Sequence, residues 1–222
     1  MTTVFDSLVN KIHLGVNPYA DFPADAPVEQ WNGWDSQHPF FHEAIDALRP
    51  QAIIEIGSFL GGSAIHMARR LQELKLDAAI ICVDTWLAEN VLWLDEGWRP
   101  RLRHKFGRPE YYPVFLANVI DAGLQDYIVP LPMDSIAAAR FLKQLGVHAQ
   151  LVYVDGSHQK GDVLRDIEFY WGLLDAGGVM LLDDYGNSGT VSFVDHDLIV
   201  FCNGRALTFT AQGLKAWLVK PG

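Results

Sequence analysis

A chain of 222 residues, half of them hydrophobic and 20% charged, has enough apolar surface for one ordered α/β domain and is neither disordered nor low-complexity. Its 17 basic and 27 acidic side chains give a formal charge of -10, which argues against a nucleic-acid or anionic-membrane surface. Two cysteines, Cys82 and Cys202, lie in apolar strand-like runs and give no zinc or disulfide framework; without a leader-like N-terminus or a membrane-length apolar run, a reducing cytoplasm is the expected location.

Residues 1–50 are mixed in character, broken by Pro18, Pro23 and Pro27. Trp31, Trp34, Phe40 and Phe41 lead into an amphipathic segment, His42 to Leu48, that Arg49-Pro50 ends. This region is expected to form a helical flap on a second, larger domain spanning 51–222. His38 and His42 either reach a ligand or simply pack.

The stretch from Gln51 to Arg70 organises the rest. Ala52-Ile53-Ile54-Glu55-Ile56 is a short apolar run rich in β-branched residues, which suits a central parallel strand. Gly57-Ser58-Phe59-Leu60-Gly61-Gly62 turns the chain, and Ala64, Met67, Ala68, Leu71 and Leu74 form one helical stripe. A strand feeding a glycine loop and a helix N-terminus builds a nucleotide-like crevice. The motif lacks the glycine spacing of a dinucleotide site, since Phe59 stands where bare backbone is needed, and it lacks the lysine of a P-loop. The remaining pattern, E-x-G-x-x-x-G-G through Ser63, carries Glu55 two residues before Gly57. A carboxylate there suits a cationic ligand such as S-adenosylmethionine (SAM) better than a phosphate; a purely structural turn is the alternative.

Ala78 to Val83 reads as a second strand closed by Asp84-Thr85-Trp86, where an acidic side chain can hold ribose hydroxyls or cap its own turn. Residues 86–113 break the βα rhythm with Trp86, Trp93, Trp98, Tyr111 and Tyr112, and so form a lid-like insertion. The basic cluster within it, from Arg99 to Arg108, reads as a solvated face. Val114 to Ala122 is helical, Tyr127 to Leu131 is a third strand, and Asp134-Ser135 opens a helix running to about Leu145, with Asp134 as its N-cap.

Ala149 to Val154 is a fourth strand ending in Asp155-Gly156-Ser157-His158. The helix that follows, with Val163, Leu164, Ile167, Tyr170, Trp171 and Leu174 as its stripe, is stopped by Ala176-Gly177-Gly178. Val179 to Leu182 is a fifth strand ending in Asp183-Asp184-Tyr185. The alternation predicts parallel strands whose carboxyl ends share one edge. Two β-like runs around Gly204 and Gly213, within Asp197 to Gly222, would finish the sheet as an antiparallel pair. The expected fold class is α/β: a doubly wound, mostly parallel seven-stranded Rossmann-like sheet. If the fourth and fifth strands are neighbours, Asp155, Asp183 and Asp184 lie close enough to repel unless protonated or neutralised by a cation, Mg²⁺ first among hard divalent ions. His158, at an expected helix start, would be held neutral by the helix dipole and could serve as a general base; an ordinary surface histidine is the alternative.

The segments Glu55 to Ser63, Val83-Asp84-Thr85-Trp86, Val154 to His158 and Leu182 to Tyr185 resemble class I SAM-dependent methyltransferases. More narrowly, they are similar to the metal-dependent O-methyltransferases of macrolide and aminocoumarin sugar pathways, over roughly residues 50–186. The resemblance implies SAM over Gly57, Ser58, Gly61 and Ser63, ribose on Asp84 beside Thr85, and adenine near Asp134 and Ser135. It also implies a divalent metal on Asp155, Asp183 and Asp184, with His158 or Asp155 as the base. The function expected on these grounds is metal-assisted O-methylation of a small-molecule hydroxyl, on a sugar, polyketide or phenol, with homo-oligomerisation left open. A SAM-binding protein of the same fold without turnover is the alternative; a nicotinamide oxidoreductase is opposed by Phe59.

Overall fold

The computed structural model of the chain describes residues 2–23, 25–29, 33–187 and 193–222. Trp31 lies outside the described residues. Two helices open the chain, α1 (Val4–His13) and α2 (Pro39–Leu48). Thr3 starts α1 with a capping box, its hydroxyl accepting from the Asp6 amide while the Asp6 carboxylate accepts from the Thr3 amide. His38 starts α2: its Nδ1 accepts from the Phe40 amide at 3.2 Å, so this histidine is a buried helix cap. Phe5, Leu8, Val9 and Ile12 of α1 and Phe40, Phe41, Ala44 and Ile45 of α2 are buried in the same hydrophobic core as the sheet.

Five parallel strands follow in βα alternation. β1 (Ala52–Ile56) leads through α3 (Gly62–Glu73) to β2 (Ala79–Asp84). The insertion holds α4 (Asn90–Leu94) and a 3-10 turn, Arg99–Leu102, before α5 (Tyr111–Asp121) and β3 (Ile128–Pro132). Then come α6 (Ser135–Gln144), β4 (Ala149–Val154), α7 (Asp162–Trp171), β5 (Leu174–Leu182), α8 (Val194–Asn203), β6 (Phe209–Gln212) and β7 (Lys215–Val219). The seven-stranded sheet has the order β3-β2-β1-β4-β5-β7-β6, with β7 antiparallel to both neighbours. This is the doubly wound, Rossmann-like arrangement expected from the alternation.

Because the strand order reverses between β1 and β4, right-handed crossovers put α3 and α5 on one face and α6 and α7 on the other. β1 is buried at all five positions, as a strand covered on both faces must be. The reversal also leaves a crevice at the carboxyl ends of β1 and β4, the place where open α/β sheets bind ligands. Among the described residues no helix is long and apolar enough to cross a membrane.

The structure corrects the tail. The run around Cys202 is not a strand but α8, and the antiparallel pair turns only at Gly213. Leu198-Ile199-Val200-Phe201-Cys202 looks β-like in composition, yet burial follows helical spacing: Val194, Leu198, Phe201 and Cys202 are buried while Ile199 and Val200 are exposed. A second boundary moves too. α7 ends at Trp171, and Leu174 belongs to β5, which passes through Ala176-Gly177-Gly178 with an irregular register against β4. A Cβ at Gly178 would lie 2.8 Å from the Gln150 carbonyl, so that glycine serves close strand packing rather than a helix stop.

Candidate active site at the carboxyl edge of the sheet

The β1 turn is shaped from beneath. Glu55 is fully buried, and its two oxygens accept from Ser58 Oγ at 2.6 Å and Ser63 Oγ at 2.5 Å. Burial raises the Glu55 pKa, and the two hydroxyl bonds offset part of that rise. Glu55, Ser58 and Ser63 therefore brace the loop through each other, which corrects the expectation that the Glu55 carboxylate faces a cationic ligand. Gly57 adopts φ +85°, and a Cβ there would sit 1.8 Å from the Asp155 carbonyl oxygen. The two loops at the switch point thus touch backbone to backbone, and only glycine permits it. Gly61, at φ +88°, is the N-cap of α3 and packs beneath the Phe115 ring.

Asp84 ends β2 and ties the neighbouring loops together. Its carboxylate accepts from the Phe59 amide at 2.8 Å and the Trp86 amide at 2.7 Å. Burial raises its pKa against these amide bonds. Thr85 beside it is exposed, its hydroxyl accepting from the Leu87 amide. Trp86 is buried against Tyr112 and Phe115 and donates its indole N–H to the Phe59 carbonyl at 2.7 Å. Phe59 in turn meets the rings of Trp34, Trp98 and Tyr111. Residues 87–109 form a shallow, open cleft of about 660 Å³ lined by Leu87, Ala88, Trp93, Leu94 and Arg108.

Asp134 caps α6, its Oδ1 accepting from the Ile136 and Ala137 amides. Ser135 donates to Asp166 Oδ1 on α7 at 2.6 Å. Both side chains are engaged within the chain, Asp134 on its own helix and Ser135 across to α7.

The acidic strand ends divide. Asp155 and Asp184 come together with His158: one ligand atom from each lies within 4.8 Å of the others. His158 Nε2 is 2.8 Å from Asp184 Oδ2 and 3.9 Å from Asp155 Oδ1, while its Nδ1 is 3.8 Å from Glu89 Oε2 in the insertion. Nε2 is shielded from solvent, and its approach to Asp184 is an ion-pair contact without hydrogen-bond alignment. Asp183 stands apart from this group. It is buried, it accepts from Lys215 Nζ at 2.7 Å through Oδ1, and it accepts from the Tyr153 hydroxyl at 2.6 Å through Oδ2. The expectation that Asp183 completes a metal-binding trio is thereby corrected: its lone pairs are turned to a buried lysine and a tyrosine.

His158 also differs from expectation. α7 begins at Asp162, so His158 lies in the preceding loop rather than on the helix N-terminus. Burial would lower its pKa, but Asp184, Glu89 and Asp155 raise it to about 10. The group is an imidazolium in the absence of a bound cation, not a neutral base. Asp155 moves upward as well, through burial and the Asp183 charge, against the pull of Lys215 and His158. The His158 contact lowers Asp184, with burial opposing it.

A methyltransferase-domain profile matches residues 54–185, well over half of the chain. The chain belongs to this methyltransferase family. No curated protein matches the methyltransferase in sequence. Solved structures share its fold at low identity. The O-methyltransferase TomG of Streptomyces achromogenes, solved with SAM, is 16% identical with a TM-score of 0.57, over 98% of this chain and 89% of that one. An O-methyltransferase from Bacillus cereus, solved with S-adenosylhomocysteine (SAH), is 15% identical with a TM-score of 0.57, over 99% and 98%. The Podospora anserina methyltransferase PaMTH1, also SAH-bound, is 16% identical with a TM-score of 0.58, over 82% and 76%.

Sequence reasoning missed three groups of this methyltransferase's site: Lys215, Tyr153 and Glu89. Tyr153 and Lys215 sit at buried positions of apolar strands, where a polar residue needs a partner, and that was their only signal. Glu89 gave none, because nothing in the insertion's composition indicates which acid turns inward.

Proposed function

We propose that the protein is a SAM-dependent O-methyltransferase that uses a divalent cation to methylate a hydroxyl of a small molecule. The observation that carries this reading is the convergence of Asp155 and Asp184 with His158 at the carboxyl edge, beside the glycine turn. The SAM-bound and SAH-bound relatives of like fold support the donor. So does the loop itself: Gly57 to Ser63 carries no cationic side chain for a phosphate, and Asp84 closes β2 at the place where α/β sheets hold ribose hydroxyls. The narrower likeness to macrolide and aminocoumarin sugar enzymes suits a sugar, polyketide or phenolic acceptor, and the cleft in the insertion suits an apolar ring. The insertion acts as the lid, since its Glu89 reaches His158 and its Trp98 reaches Phe59.

The residues present fit a divalent ion. Asp155 and Asp184 are oxygen donors on partly exposed side chains, and His158 Nε2 lies 3.9 Å and 2.8 Å from their oxygens. Four carboxylates, counting Asp183 and Glu89, face two cationic groups, Lys215 and His158. Such an ion would polarise the acceptor oxygen and ease its deprotonation. With His158 Nε2 turned to such an ion, Asp155 is the group placed to accept the hydroxyl proton. Asp84 and the glycine turn hold the donor so that its methyl lies in line with that oxygen, and positioning supplies much of the rate.

Incubating the protein with SAM, Mn²⁺ or Mg²⁺ and a panel of sugars, polyketides and phenols tests this by release of SAH. Turnover should stop with a chelator and fall on the order of a hundredfold in Asp184→Asn. Turnover indifferent to chelator would remove the metal. A second reading, a SAM-binding protein without turnover, is favoured by the Lys215–Asp183 pair, which takes one carboxylate away; SAM binding without SAH release from any acceptor would support it.

A further inference from the structure

We propose that Lys215 withdraws Asp183 from ion binding and that His158 takes its place, so that the site holds its cation through two carboxylates and one imidazole. This rests on the metal reading above and assigns the identity of the ion. Lys215 lies on β7, antiparallel to β5, in an otherwise apolar strand, and its side chain is wholly buried. Its Nζ is 2.7 Å from Asp183 Oδ1 and 3.2 Å from the Tyr153 hydroxyl, and it lies over the Phe41 and Tyr153 rings at 5.4 and 5.3 Å.

Both oxygens of Asp183 are engaged from within the chain. Lys215 and the Asp184 amide occupy Oδ1, and the Tyr153 hydroxyl occupies Oδ2. A divalent ion on this carboxylate would have to sit beside a buried ammonium, and like charges at that range repel strongly in a medium of low dielectric. Asp184 instead turns away, in a left-handed backbone conformation with φ 56°, toward His158. Tyr153 links the two halves. Its hydroxyl lies 3.0 Å from Asp155 Oδ2, so the lysine-anchored network fixes Asp155 with its other oxygen toward His158.

The consequence is a change of preference. Three carboxylates would form an all-oxygen set for Mg²⁺; replacing one by imidazole favours Mn²⁺, Fe²⁺ or Co²⁺, which accept nitrogen more readily. Lys215 is a positioning residue here and touches neither substrate nor ion.

Pulsed electron paramagnetic resonance on the full chain loaded with Mn²⁺ tests this directly and needs no variant. The expected spectrum carries ¹⁴N coupling from one imidazole, lost in His158→Gln. Calorimetry with Mg²⁺ gives the second arm: Lys215→Met should bind Mg²⁺ at least tenfold more tightly than the parent, because Asp183 becomes a ligand. Bound Mn²⁺ without nitrogen coupling, or Mg²⁺ affinity unchanged in Lys215→Met, would overturn the proposal while leaving a metal site in place. A parent chain that takes up no Mn²⁺ would overturn the metal reading and this inference together.

Discussion

At the scale of single residues, the crevice depends on buried acids that each have a different neighbour. Glu55 is held by two serines, Asp183 by a lysine and a tyrosine, and Asp166 by Ser135 across the α6–α7 seam. Asp166 is 3% exposed, and burial raises its pKa to about 6. An acid whose folded pKa is raised is accommodated without penalty while neutral and costs stability once it must ionise. The cost grows as pH rises from about 4 to about 7, reaching about 3 kcal/mol for a shift of this size. Asp166→Asn keeps an acceptor for Ser135 and removes the charge. Thermal melts across that range should show the variant gaining on the parent as pH rises; a constant difference would contradict the burial argument. Asp155 and Asp184 were legible because acids at the ends of adjacent parallel strands must approach one another. The pairing of Asp183 was not, since Lys215 lies 32 residues away on a strand whose register no local pattern fixes.

At the scale of elements, the loop carrying His158 is fixed by a cap that comes from outside its own helix. Gly161 caps α7 without a side chain, and Asp197 on α8 supplies the acceptor instead, bonding the Gly161 amide at 2.9 Å and the Leu164 amide at 3.1 Å. The Phe193 amide donates to the His158 carbonyl and strengthens the same seam. Losing a cap of this kind costs about 1–2 kcal/mol. Asp197→Ala should therefore melt roughly 2–8 °C below the parent, while Asp197→Asn, which retains an acceptor, should fall less. Equal melting of all three would contradict the cap. The central βα units were readable because periodicity and glycine punctuation agreed. α8 was misread because its β-branched run carries the composition of a strand and only its spacing betrays a helix. α1 was passed over because ten residues, with four buried positions, leave a short pattern amid prolines and loops.

At the scale of the whole molecule, the reversal of strand order between β1 and β4 sets the function. It brings the glycine turn, Asp84 and the Asp155–His158–Asp184 group to one edge, with the insertion reaching His158 through Glu89. The same edge was foreseeable from alternation alone, whereas the aromatic packing of Trp34, Trp98 and Tyr111 on Phe59 required the folded chain. Titration calorimetry of the parent and of Asp84→Ala with SAM tests the central claim most directly. The account predicts saturable binding of one SAM per chain to the parent and affinity at least tenfold weaker in the variant, which loses its ribose acceptor. No heat from the parent, or equal affinity in both proteins, would contradict a donor site at this crevice.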